Sequence, residues 1–143
     1  LTGEMFELLS TKSVLKGAVS KDDNQKVMDK LNLQSFYKGL NASQNNANLL
    51  NKLFSVRTNA LFRLLSPQEN YFYLSGLLIG SEIKSLHQEM PCTIVLCSGN
   101  SLFQLYQLAI EKLSFDAKTI YIEPAMMDKG AFWGQIKIFQ SFQ

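Results

Sequence analysis

The feature that most constrains this chain is a shortage of strands. Only residues 93–97 (TIVLC) and 118–122 (KTIYI) combine β-branched and apolar residues in runs short enough for a strand. Each is followed by helical spacing, at residues 101–113 and about 125–139. Strand, helix, strand, helix in short units predicts a parallel pair joined by a right-handed crossover. The rest reads as helix, giving about six helices in all. A two-stranded parallel sheet has two open edges, and parallel strands are normally buried in larger sheets. The pattern therefore predicts that something further lies beside them, either another chain or residues ahead of Leu1.

The helical part has its own punctuation. Thr2 or Gly3 is placed to cap a helix with Met5, Phe6, Leu8 and Leu9 on its apolar side and Gly17 as its stop. The polar segment SKDDNQK leads to a helix predicted over about 23–37; Gly39 and the run NASQNNAN read as loop. From 48 to 65 the apolar residues fall at 49, 50, 53, 54, 60, 61, 64 and 65, which is helical spacing with two neighbours per turn. Ser66-Pro67 opens another helix, with proline at its favoured first position. Gly76 and Gly80 lie four apart inside it, a costly choice for helix propensity that points to close packing of a neighbour. The chain starts at Leu1 in mid-pattern, which reads as a piece cut from something longer.

Composition narrows the chemistry. With 143 residues, 46% of them hydrophobic, the chain is the size of one domain with matter enough for a core. A net charge of +2, with the basic residues scattered, argues against nucleic acid or a membrane surface as partner. No run approaches the ~20 apolar residues that cross a bilayer, and there is no signal-peptide pattern, so a cytoplasmic location is expected. Cys92 and Cys97, five apart on one strand, point to opposite faces and read as reduced thiols in a core. His87, the single histidine, falls near a predicted helix end and reads as a surface residue, against a catalytic triad or a histidine metal site.

Ligands of open parallel sheets bind beyond the carboxyl ends of strands, where helix-start amides face a crevice. Ser98, Gly99, Asn100 and Ser101 occupy that place: Gly99 permits close approach of a flat or charged group, and Ser101 is placed to cap the helix. Many strand–helix turns look like this without binding anything. Arg57 sits on or beside the apolar stripe of its helix, where a guanidinium calls for an anionic partner: the readings are a structural salt bridge, with Glu82 as candidate, snorkelling to solvent, or a ligand. Glu4, in a first helical turn, reads mainly as a helix-dipole residue. Asp128-Lys129-Gly130 lies inside a predicted helix and is not read as a phosphate hairpin.

Several segments occur together and in order: LTGE before an apolar helix, SVLKG, LFSVR, LSGLLIGSE, and SGNSLFQLY after an apolar strand. In this the sequence resembles the C-terminal part of the 2-dehydro-3-deoxygalactonokinases, members of the sugar kinase, actin and acetate kinase superfamily. The likeness is strong over residues 1–17, 53–82 and 93–106 and weak over 18–48 and toward the end. It implies an α/β fold: the helix-rich C-terminal part of a ribonuclease-H-like lobe with a small parallel sheet. Within a fragment spanning 1–143, residues 18–48 would be a variable helical and loop insertion, and 92–143 the nucleotide side.

The resemblance also implies transfer of a phosphoryl group from ATP, with Mg²⁺, to the terminal hydroxyl of 2-dehydro-3-deoxy-D-galactonate, a step of galactonate breakdown. The family's adenosine turn maps onto Gly99, Asn100 and Ser101, with Asn100 standing where the family often has Thr. Its two phosphate loops belong upstream of LTGE, so no catalytic residue is assigned. Arg57, and less directly Glu4, are the candidates to meet the sugar acid; Gly76, Gly80 and Glu82 are read as structural. Implied partners are the sugar acid, ATP and an N-terminal lobe, with a homodimer left open. A kinase for another sugar acid, and an inactive helical interaction module of the same fold, are the alternatives.

Overall fold

The computed structural model describes residues 1–20, 29–46, 48–87, 93–113 and 118–141, with the side chains of His87, Ser101, Asp128 and Ala131 outside the description. Two compact units emerge, Leu1–Glu89 and Met90–Gln143.

The first unit is helical: α1 (Thr2–Lys12), α2 (Lys30–Gln44), α3 (Leu49–Leu61) and α4 (Pro67–His87). Helix α4 is its axis, and every residue from 74 to 80 is buried. Its start is a reciprocal capping box: the Glu69 amide donates to Ser66 Oγ (3.2 Å) and the Ser66 amide to Glu69 Oε2 (2.8 Å), with Pro67 at the first helical position. These hydrogen bonds from Ser66 hold the Glu69 carboxyl below its ordinary range. Helices α2 and α3 each begin on an Asx cap, Asp29 accepting from Leu31 N at 3.0 Å and Asn48 from Leu50 N at 2.9 Å.

Helix α2 lies later in the chain than the sequence suggests. The predicted segment 23–28 falls outside the described residues, and the helix continues through Gly39 and Asn41 to Gln44, where a loop was expected. The reason is its partner. Asn32, Ser35, Phe36, Gly39, Leu40 and Ser43 form one buried stripe at helical spacing, and that stripe packs on α4. The crossing is glycine-to-backbone on both sides. A methyl at Gly39 would stand 2.0 Å from the Tyr73 carbonyl oxygen, and one at Gly76 would stand 2.1 Å from that of Phe36. At Gly80 it would meet Ser43 Oγ at 2.2 Å.

Helix α1 also departs from expectation. Neither Thr2 nor Gly3 caps it, since Leu1 holds that position; none of its residues is fully buried; and it ends at Lys12, five residues before Gly17. Leu15, Ala18 and Val19 from the following turns seal the core instead, joined by Phe6 and Leu9 of α1. Helix α3 stops at Leu61, where Arg63 turns into the left-handed region (φ 54°) and the Leu64 amide reaches back to Asn59 O (2.8 Å), a glycine-type C-cap built on arginine.

The paired apolar neighbours of α3 divide between two faces. Leu49, Leu53 and Ala60 pack on the core, while Leu50, Phe54 and Leu61 are 72%, 59% and 63% exposed. Leu53→Ala is therefore expected to cost about 2–4 kcal/mol. Phe54→Ser, one residue along, should stay within about 0.5 kcal/mol. Urea denaturation of the two variants measures the contrast.

The second unit is β1 (Ile94–Cys97), α5 (Asn100–Leu113), β2 (Thr119–Ile122) and α6 (Pro124–Gln140). The two strands pair in parallel, with Ile94 opposite Thr119 and Cys97 opposite Ile122. On one face Leu96 is buried, α5 packs on β1, and Phe103 meets Tyr121 edge to face at 6.4 Å. The other face carries Val95 and Ile120, 52% and 42% exposed. Cys97 shares that face and is exposed, which corrects the expected buried thiol; Cys92 lies outside the described residues.

Candidate functional site

The turn at the carboxyl end of β1 is built by the backbone. Strand pairing ends at Cys97, and the Gly99 carbonyl accepts from the amides of Leu102 (3.1 Å) and Phe103 (3.0 Å), so α5 starts on Asn100. Expected one residue later with Ser101 as its cap, the helix instead includes Ser101. Gly99 has an ordinary φ, is exposed, and leaves empty the space a Cβ would fill. What glycine provides here is an open approach to the first amides of α5, whose donors have no intrahelical partner. Beside it, Ser98 Oγ is buried without a hydrogen-bond partner among the described residues. A buried hydroxyl left so is costly, and a ligand group reaching the turn would satisfy it.

The other candidates lie in the first unit. Arg57 is half-buried, and its Nη1 donates to the Val14 carbonyl (3.1 Å), tying α3 to the segment after α1. Glu82 is not placed to pair with it. Ser55 bonds Tyr73 across the α3–α4 pair and Asn59 bonds Asn70, so Arg57 stands level with residues 71–72. Glu82 is ten residues further along α4, about 15 Å away at 1.5 Å per residue. Glu4 is exposed in the first turn of α1. The arrangement does not bring Glu4 and Arg57 together, since Arg57 is held just past the far end of that helix. Gly76 and Gly80 are contact points of the α2–α4 crossing.

Two groups were not singled out from the sequence. Lys52 and Lys84 converge on the C-terminus of α2: Lys52 Nζ donates to Ser43 O (3.0 Å) and Asn45 O (2.6 Å), Lys84 Nζ to Gln44 O (2.8 Å) and Asn45 O (3.2 Å). Desolvation, and then the neighbouring Lys84 charge, push Lys52 below the usual lysine range. Asn70 is fully buried, and its Nδ2 donates to both Ala18 O (2.9 Å) and Val56 O (2.7 Å). A polar residue amid the apolar pattern of α4 was the available signal for it.

Among the described residues no three His, Cys, Asp or Glu side chains are grouped to hold a metal ion, and no helix is long and apolar enough to cross a membrane.

Fold and turn together define a helix-rich α/β protein with a strand–glycine turn–helix unit open at the strand's carboxyl end. A family model described as 2-keto-3-deoxy-galactonokinase matches residues 1–132, and the chain belongs to that family. It is 30% identical over 125 residues to the 2-dehydro-3-deoxygalactonokinase of Escherichia coli (strain K12), a match covering 84% of this chain and 39% of that protein. A crystal structure from Sinorhizobium meliloti, of a protein provisionally named 2-dehydro-3-deoxygalactonokinase, superimposes with a TM-score of 0.63 at 25% identity, over 84% of this chain and 38% of that one. The chain thus spans about two-fifths of the length of these relatives.

Proposed function

We propose that the chain is the nucleotide-side, C-terminal portion of an ATP-dependent kinase that phosphorylates 2-dehydro-3-deoxy-D-galactonate in the cytoplasm. The observation that carries the reading is the family match running through both units, from the α1 segment to α6. The open Gly99 turn, with its unsatisfied Ser98 hydroxyl, supports a place for the adenosine end of ATP at Ser98, Gly99, Asn100 and Ser101. Exposed apolar faces on α3 and on the sheet suit a chain that packs against further protein, in this reading an N-terminal lobe completing a ribonuclease-H-like core.

Phosphoryl transfer depends on positioning and on neutralising charge at the phosphates. This portion would hold the base and ribose, while the phosphate clamps and Mg²⁺ belong to the remainder of the enzyme. Its own ATP affinity should therefore be weak, in the millimolar range that a single open turn supports. Isothermal titration measures this, and affinity equal to a full kinase's would contradict the division of labour. Substrate is tested on the full-length protein: ADP release with 2-dehydro-3-deoxy-D-galactonate well above that with other sugar acids is the expected result, and preference for another acid would overturn the assignment. Arg57 is proposed to meet the sugar-acid carboxylate with the donors not used on Val14 O. In the full-length enzyme Arg57→Lys should raise the KM for the acid about tenfold, losing the bidentate fork. An unchanged KM removes that role.

A further inference from the structure

A groove in the first unit lies apart from the Gly99 turn. This groove, of about 360 Å³ between α1 and α4, is lined by Phe6, Glu7, Ser10, Thr11, Val19 and Tyr71. Phe6 and Tyr71 form its aromatic wall, edge to face at 4.8 Å, and Val19 is buried beneath. Along the rim, Ser10 Oγ (3.2 Å) and Thr11 Oγ1 (2.6 Å) both donate to the Glu7 carbonyl. Their protons are committed, so both hydroxyls offer the groove only lone pairs. Glu7, one turn earlier on α1 and exposed, also lines the groove, and no ion pair joins its carboxylate to another of the described residues.

We propose that this groove is a binding site for a small organic monocation with an aromatic or alkyl body, of the arylalkylammonium class. Ring faces attract a cation through their quadrupole, and a carboxylate with two acceptor hydroxyls completes an ammonium's three donors. A neutral ligand of the same shape gains only the apolar contacts, and an anion meets an unshielded carboxylate. The volume sits at the small end of ligand pockets, which suits a single ring with a short arm. This site does not depend on the kinase reading, since it takes a cation where nucleotide and sugar acid are anions.

Benzylammonium and its neutral analogue benzyl alcohol, titrated into the ¹⁵N-labelled chain, test the proposal by amide chemical shifts. Benzylammonium should give saturable shifts centred on residues 6–11 and 71 with a Kd on the order of 1 mM. Benzyl alcohol should bind about tenfold more weakly, as should benzylammonium to Glu7→Gln, an exposed change that leaves the fold signals in place. Equal binding of the two probes, an unchanged Kd in Glu7→Gln, or shifts that stay linear to about 20 mM each overturn it.

Discussion

Gly76→Ala is expected to destabilise the first unit by about 3 kcal/mol, although the same change in an ordinary helix interior stabilises by up to about 1 kcal/mol. The reversal of sign is the diagnostic. The new methyl would sit 2.1 Å from the Phe36 carbonyl oxygen and 2.9 Å from the Leu40 amide nitrogen, and neither is a side-chain end that swings away. Relief requires α2 and α4 to part, which loosens Phe36, Leu40, Leu74 and Leu77, all of them fully buried. Gly39→Ala meets Tyr73 O and Leu77 N from the opposite helix and should behave alike. Gly80→Ala meets a serine side chain, so pairing it with Ser43→Gly should recover part of the loss. Gly17→Ala, with open space around it, serves as the neutral control. Thermal unfolding followed by circular dichroism reads all five. If Gly76→Ala unfolds no earlier than Gly17→Ala, the close crossing is wrong.

That crossing also shows where the sequence was legible. Gly76 and Gly80 stood inside a strongly apolar helix, so their cost implied a neighbour at close range, and the neighbour is α2. The partner glycine was misread because local propensity and tertiary packing disagree there. Gly39 and the asparagine-rich run after it favour a loop by composition, yet burial of the stripe from Asn32 to Ser43 carries the helix through Gly39 and into that run as far as Gln44. Helix α3 presents the converse case: its spacing found the element, although the helix ends at Leu61 and leaves Leu64 and Leu65 outside it, and paired neighbours could not say which of each pair faced inward.

The site was legible to a different degree. Strand, turn and following helix were visible as a period change, and the structure places both strands within one residue of their expected starts. The chemistry was not. Nothing in SGNS says that Gly99 has an ordinary φ, or that Ser98 Oγ is left without a partner among the described residues. The choice between a carboxylate and a carbonyl for Arg57 depended on which residues α4 sets level with it, a fact of three-dimensional register.

Asn70 supports the second large expectation. Its side chain joins three segments distant in sequence: α4, the Val56 carbonyl in α3, and the Ala18 carbonyl after α1. Asn59 Nδ2 donates to its Oδ1 at 3.3 Å, so the buried amide is satisfied on both sides. Asn70→Leu keeps the volume and removes both donated bonds, to the Ala18 carbonyl outside any helix and to the Val56 carbonyl, which keeps its helical partner, and a loss of about 2–4 kcal/mol is expected. Asn59→Ala breaks only the longer bond and should cost about 1 kcal/mol. Asn70→Asp adds a pH signature. A carboxylate facing two carbonyl oxygens in a buried site is disfavoured, so its folded pKa rises above the unfolded value of about 3.9. The protonated form, which can still donate once, dominates at low pH. Stability is then greatest below the unfolded pKa and is lost as pH rises through the folded one. Urea midpoints for Asn70→Asp should accordingly be higher at pH 4 than at pH 7, while those of Asn70→Leu show no such rise on acidification. Parallel pH profiles for the two variants would mean that the Asn70 amide does not hold these segments together.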